Sequence, residues 1–361
     1  MSTQESNNII PHPIDPLAIP MVPVQIPLQG GTDGVFHMAI QIPGSNGVSS
    51  KNAVVQLDTG STGLVLPAEF FYEEGTYSYN EQTKEITGTL MPGVKKHGHA
   101  TVKYEPSTDD MHGFHFSVPN LLIGVVNNVG AAMTSEVTAI GIVEKTPHMC
   151  GIGFGRPVLA SNPFLSVVGM STGNLYPSFL LTTKGIWLGL TPEEAAKQLG
   201  GSFGYQKLTY EGPAPQPLNS SQWSTPTGYF RVSNINPTDT TKYGILVDTG
   251  VDLAMVKSPI TDLEDQIKAG SIVAVEIPVE PASVTVAYSF AITGHTTVKL
   301  GPKAPESFVF TTKAMPDTVA PKYLVPRGTG NFVNTGFHLL NSYQLFFDAK
   351  VGQVGYAAYP A

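Results

Sequence analysis

Val55-Gln56-Leu57-Asp58-Thr59-Gly60 recurs 190 residues later as Ile245-Leu246-Val247-Asp248-Thr249-Gly250. Each copy is an apolar strand-like run that ends in Asp-Thr-Gly. A given tripeptide arises by chance in a chain this long roughly one time in ten, and twice in well under one in a hundred, at average residue usage. The pair therefore reads as an internal repeat. A second correspondence follows at similar spacing. Gly151 of Met149-Cys150-Gly151 lies 93 residues after Asp58, and Gly336 of Val333-Asn334-Thr335-Gly336 lies 88 residues after Asp248. Duplication of one β-rich unit is the simplest account of both.

The rest of the chain fits that reading. Its 361 residues suggest two domains or one large two-lobed one. A hydrophobic share of 41% supports real cores, and a charged share of 13% is about half the usual one, a combination opposite to that of disorder. Gly 37 and Pro 30 suit a turn-rich all-β protein. Net charge -8, a pI near 5.6 and the lack of a Lys/Arg cluster argue against nucleic-acid binding. No apolar run reaches the length of a membrane-spanning helix, about 18 residues. The best candidate, Leu121 to Met133, is broken by Asn127 and Asn128. Cys150 is the single cysteine, which excludes an intramolecular disulfide and a Cys-based zinc site. Its apolar setting, Pro147-His148-Met149-Cys150-Gly151-Ile152, predicts a buried structural thiol rather than a nucleophile.

Short alternating runs cut by Gly, Pro and Asn dominate, as in Gly34 to Ile42 and Gly113 to Val118, and predict strands. One helix is clearly signalled over Thr191 to Leu199. Thr191 is its N-cap, Pro192 its first residue, Glu194 closes a capping box, and Gly200 stops it. A second, weaker helix is expected over Thr261 to Ala269, and a surface loop over Glu211 to Pro226. Residues 1–20 read as a flexible tail, 21–200 as an N-terminal lobe and 201–361 as a C-terminal lobe. Met1 to Asn8 is polar and has no signal-peptide apolar core. The compartment stays open between retention in the cytoplasm, export by a non-classical route, and display as a surface-exposed part of a longer protein.

Two aspartates brought together can act as acid and base on one water without metal or covalent nucleophile. Carboxylates held about 3 Å apart cannot both ionise, so they share one proton and titrate as a unit. One takes a proton from water while the other polarises or protonates the carbonyl. No cofactor or metal is needed. The glycines allow each loop to turn tightly with backbone N–H groups facing the carboxylates.

At Asp58-Thr59-Gly60-Ser61-Thr62-Gly63-Leu64-Val65-Leu66-Pro67, and again at Val333 to His338 and Phe347 to Tyr356, the chain resembles the pepsin-like aspartic proteases. It looks most like their bacterial branch, including mycobacterial PE-PGRS-type aspartic proteases. The resemblance spans about residues 21 to 359, with looser matches between the motifs. It implies a bilobal, mainly β acid-protease fold with the active-site cleft between two pseudo-symmetric lobes. Asp58 and Asp248 would be catalytic. Thr59 and Thr249 would bond across to the opposite loop, and Ser61 would donate to the outer oxygen of Asp58. A flap hairpin would lie over Ala100 to Phe114, with Tyr104 near its tip. The expected activity is that of an endopeptidase at acidic pH on hydrophobic sites. A monomer would hold an extended polypeptide by strand-like backbone bonds.

Three departures from the family pattern stand out. Val251 follows the second Asp-Thr-Gly where the family has Ser or Thr, so it cannot donate to Asp248 and the pair's pKa is expected to rise. Val65 stands where the family has Trp. Asn334-Thr335 replaces an apolar pair before Gly336. These departures motivate an alternative, a weak or inactive protein of the same fold that binds a peptide or inhibits a partner enzyme. A β-rich carbohydrate or adhesion domain, its Asp-Thr-Gly pair coincidental, would place the two carboxylates far apart. Asp252 is expected to face solvent or cap a turn rather than act as a third acid. His97, His99, His112 and His115 cluster around the hairpin, but their spacing matches no common zinc pattern.

Overall fold

The computed structural model describes residues 23–27, 29–30, 35–103, 110–126, 129–132, 137–143, 148–156, 161–216, 220–282, 286–300, 304–315 and 320–359. The expected tail, 1–20, lies outside them. The chain is mainly β. It forms a ten-stranded sheet, a six-stranded sheet, a closed eight-stranded barrel and a small two-stranded sheet.

The duplication is visible in strand order. In the ten-stranded sheet, Lys51–Asp58 runs parallel to Met149–Ile152, with Gly151 opposite Asp58. Met149–Ile152 is antiparallel to Thr62–Pro67, which is parallel to Val137–Ile142. In the barrel, Lys242–Leu246 runs parallel to Phe332–Asn334, which is antiparallel to Ala254–Lys257, itself parallel to Tyr323–Pro326. The same four-strand arrangement thus occurs twice. In each copy, a late strand inserts between the strand before the Asp-Thr-Gly loop and the strand after it. Strand alternation explains why these residues form it. Ala53, Val55 and Leu57 point into the core while Asn52 and Val54 face out. Full burial of each large side chain contributes about 1.5–3 kcal/mol.

The six-stranded sheet runs Val24–Pro27, Gly185–Leu188, Ser178–Leu181, Tyr343–Asp348, Gln353–Ala358, Gly204–Lys207. Three of its strands precede residue 200 and three follow it. They join where Ser178–Leu181 pairs antiparallel with Tyr343–Asp348. Beneath the join Phe179 stacks on Phe347 at 4.6 Å between ring centroids, and Phe154 meets both edge-on.

The helix Pro192–Leu199 is capped as its sequence specifies. Thr191 accepts from the Glu194 amide, Glu194 reaches back to the Thr191 amide, and Gly200 closes the helix at φ 65°. Its buried Ala195 packs with Leu180, Phe203 and Phe346 on the six-stranded sheet.

Two expectations need correction or refinement. The second helix is a single turn, Leu263–Gln266. Asp262 precedes it at φ 54° without capping it, and Ile267 returns to extended backbone so that Leu263 and Ile267 are both buried. The segment Glu211 to Pro226 is no mere surface loop. Trp223 within it is buried, stacked edge-on against Tyr210, and donates its indole N–H to the Ser220 carbonyl. Leu121 to Met133 contains two paired strands, Leu122–Val126 and Val129–Ala132. No helix among the described residues is long and apolar enough to cross a membrane.

Candidate active site

Asp58 ends the strand Lys51–Asp58, Asp248 follows the strand Lys242–Leu246 by two residues, and the two copies bring them face to face. Each carboxylate is held by its own loop. Asp58 Oδ1 accepts from the Gly60 amide at 2.6 Å, and Asp248 Oδ1 from the Gly250 amide at 2.9 Å. Both side chains are buried.

The loops interlock through their threonines. The Thr59 amide donates to Thr249 Oγ1 and the Thr249 amide to Thr59 Oγ1, both at 3.0 Å. Thr249 Oγ1 donates to the Leu57 carbonyl at 2.9 Å, and Thr59 Oγ1 donates to the Val247 carbonyl. Each hydroxyl is spent as one donor and one acceptor, so both orientations are fixed. Gln56 adds a further crossing, its Nε2 donating to the Gly250 carbonyl at 2.6 Å.

The glycines are required by proximity. A Cβ on Gly60 would sit 2.5 Å from Asp248 Oδ2, and one on Gly250 2.7 Å from Asp58 Oδ1. Each carboxylate therefore lies over the glycine of the other loop, where no side chain fits. The two carboxylates are thus close together, not far apart as the coincidental reading expects. Burial, then the charge of Asp248 opposite, pushes the Asp58 carboxyl well above the usual carboxylate range.

The outer oxygens differ between copies. Ser61 Oγ donates to Asp58 Oδ2 at 2.5 Å. Its counterpart in the second loop is Val251, and the sequence predicts a missing donor there. The structure corrects this. Asn334 Nδ2 donates to Asp248 Oδ2 at 2.7 Å, while Asn334 Oδ1 accepts from the Gly336 amide at 2.8 Å. Two departures from the family pattern, Val251 and Asn334, thus offset each other. Asn334 was visible in the sequence only as an oddity, because its partner lies 86 residues away.

Arg156 is a second group that sequence reasoning missed. It follows the Met149–Ile152 strand, lies half-buried, and donates from Nη2 to Thr225 Oγ1 at 2.8 Å. Burial lowers its pKa, and the charges of Asp248 and Asp58 oppose that shift, so a cation lies within electrostatic reach of the pair. A lone Arg in the Gly-rich run Gly151 to Arg156 was the available signal.

The remaining candidates are placed as follows. Strands Lys95–Lys103 and Asp110–Val118 pair as an antiparallel hairpin, but Tyr104 lies outside the described residues. Val65 packs against Ala100, Ile140 and Ile142. Cys150 is fully buried, and burial pushes its thiol far up, which suits the structural role. The Asp252 carbonyl accepts from His338 Nε2 at 2.8 Å and from the Lys322 amide. His97 and His99 serve separate partners, Ser117 at 2.6 Å and Glu85 at 3.1 Å, with a register shift between Lys96 and Gly98. Among the described residues no group of three or more His, Cys, Asp or Glu side chains is arranged to hold a metal ion.

No protein-family model matches the chain, and no characterised protein matches its sequence.

Proposed function

We propose that this chain is an aspartic endopeptidase of bilobal, pepsin-like architecture, with Asp58 and Asp248 at the floor of a cleft between its two halves. The observation that carries this reading is the pair itself. Two buried carboxylates from corresponding loops each lie over the other loop's glycine, and reciprocal threonine bonds fix them in place.

Such a pair holds one proton between two acids. The ionised member takes a proton from a water, whose oxygen attacks the scissile carbonyl carbon. The protonated member gives its proton to the carbonyl oxygen. The resulting gem-diol collapses as the proton taken from water passes to the amine nitrogen, the C–N bond breaks, and a diol hydroxyl restores the first proton. The Ser61 and Asn334 donors and the two glycine amides hold the carboxylates in place through these transfers. An extended peptide would bind through backbone hydrogen bonds, with apolar side chains preferred about the scissile bond.

A second reading keeps the architecture without efficient cleavage, as a protein that binds a peptide or a partner enzyme. Val65 favours it, because the hairpin tyrosine would lack an indole partner. The deciding experiment is cleavage of an unfolded protein from about pH 3 to about pH 7, with and without a statine-type inhibitor. Asp58→Asn and Asp248→Asn run alongside. Inhibitor-sensitive cleavage that falls by on the order of 10³-fold in both variants is expected. Undiminished cleavage by either folded variant overturns the mechanism. Inhibitor binding without cleavage by the unmodified protein selects the second reading.

A further inference from the structure

We propose that Asn334 is a positioning residue that makes Asp248 the ionised member of the pair and leaves the shared proton on Asp58. This rests on the aspartic-protease reading and adds a division of roles to it: Asp248 is the base toward water and Asp58 the acid toward the carbonyl oxygen.

The argument lies in which donors can reverse. Asp248 accepts from the Gly250 amide on Oδ1 and from Asn334 Nδ2 on Oδ2. Both are N–H groups and neither can accept a proton's bond in return. Asn334 cannot turn its carbonyl toward Asp248 either. Its Oδ1 takes the Gly336 amide, and a flipped side chain would set NH₂ against N–H and carbonyl against carboxylate. Asn334 is buried, so water offers no substitute. Asp58 has one fixed N–H donor, from Gly60. Its outer oxygen faces the Ser61 hydroxyl, which donates to a carboxylate and, rotated, accepts from a carboxylic acid. Protonating Asp58 costs a hydroxyl rotation, whereas protonating the outer oxygen of Asp248 opposes two hydrogens. Charge-assisted N–H donors favour the ionised form they face.

Among the described residues, the ionisable groups that interact with Asp248 include Asp58 on the opposite loop and Arg156 after the Met149–Ile152 strand. Cys150 adjoins Asp58 on the inserted strand, and Asp252 and His338 lie behind the second loop. Asn334 carries no charge itself, and its side-chain donor is aimed at the outer oxygen of Asp248.

The test follows from which ionisation each donor serves. With the charge on Asp248, the Asn334 bond stabilises the singly ionised pair against the diprotonated one. Asn334→Ala should then move the acid limb of kcat/KM upward by about one pH unit and leave the neutral limb in place. Ser61→Ala should do the reverse, moving only the neutral limb. A shift confined to the neutral limb in Asn334→Ala puts the charge on Asp58 and overturns the proposal, as does the absence of any shift.

Aspartate ¹³C-carboxyl resonances of the unmodified protein and of Ser61→Ala provide a readout independent of turnover. A first deprotonation of the pair that is reported mainly by the Asp248 carboxyl carbon supports the assignment even where no cleavage is seen, and one reported mainly by Asp58 refutes it. Failure of the protease reading appears separately, as lack of inhibitor-sensitive cleavage by the unmodified protein.

Discussion

At the residue scale, the pair to which the proposed chemistry is assigned also carries a cost. A buried carboxyl whose pKa is raised holds more protons in the folded chain than in the unfolded one. Its contribution is therefore most favourable below the unfolded value and is lost as pH rises through the folded value. Asp58→Asn removes that loss. The variant should melt a few degrees above the unmodified protein near pH 7. The difference should vanish on acidification to about pH 3, as thermal scans at several pH values would record. An advantage that grows toward acid would refute the assignment of a raised pKa. His338 has the opposite sign. Burial lowers its pKa, so its folded form disfavours protonation, and the stability tied to it falls as pH drops below the unfolded value. At this scale, Asp58, Asp248 and the threonines were legible because each motif is contiguous. Asn334 as a donor was not, since a hydrogen bond between residues 86 apart leaves no local trace.

At the scale of elements, the two Asp-Thr-Gly loops behave as one. Thr59→Val keeps the volume but leaves the Val247 carbonyl and the Thr249 amide without their partner in a buried site. The expected cost is on the order of 3 kcal/mol, from two orphaned groups at about 1–3 kcal/mol each. Thr249→Val should cost about the same through Leu57 and Thr59. The double variant should cost clearly less than the sum, because both changes break one ring of bonds. Denaturant titrations of the four proteins test this, and strict additivity would mean the loops are held independently. A contrasting case is the helix Pro192–Leu199. Thr191→Ala removes a cap and should cost about 1 kcal/mol without altering cleavage. That helix was legible to the residue because its stop and start signals are local. The turn at Leu263–Gln266 was overread, because a few polar and apolar residues at helical spacing do not outweigh a buried Ile267 that needs extended backbone. Trp223 was missed for a related reason: Pro, Ser and Asn around it mark a loop, and nothing nearby announces that its ring fills the space over Gly352.

At the scale of the molecule, the spacing of the repeats made the duplication legible but not its two outcomes, an open ten-stranded sheet and a closed barrel. That difference depends on long-range pairing, such as the register of Val286–Lys299 with Glu306–Ala314, which period-two patterning leaves undetermined. The six-stranded sheet was equally hidden, since strands from near both ends of the chain assemble it. Its consequence is cooperativity. The halves share the ladder between Ser178–Leu181 and Tyr343–Asp348, the Phe179–Phe347 stack beneath it, and the crossed threonines. Neither half can open without breaking all three. The chain carries reporters for each side: Cys150, its single thiol, is buried beside Asp58 in the ten-stranded sheet, and Trp223 is buried after residue 200. In a Trp187→Phe background, loss of Trp223 emission and exposure of the Cys150 thiol should share one denaturant midpoint and one slope. Thiol exposure at a clearly lower denaturant concentration would mean that the first copy unfolds alone, and that the shared sheet does not couple the two. Phe347→Ala should lower both midpoints together, by the equivalent of about 3–5 kcal/mol, since it empties the contact on which both halves rest.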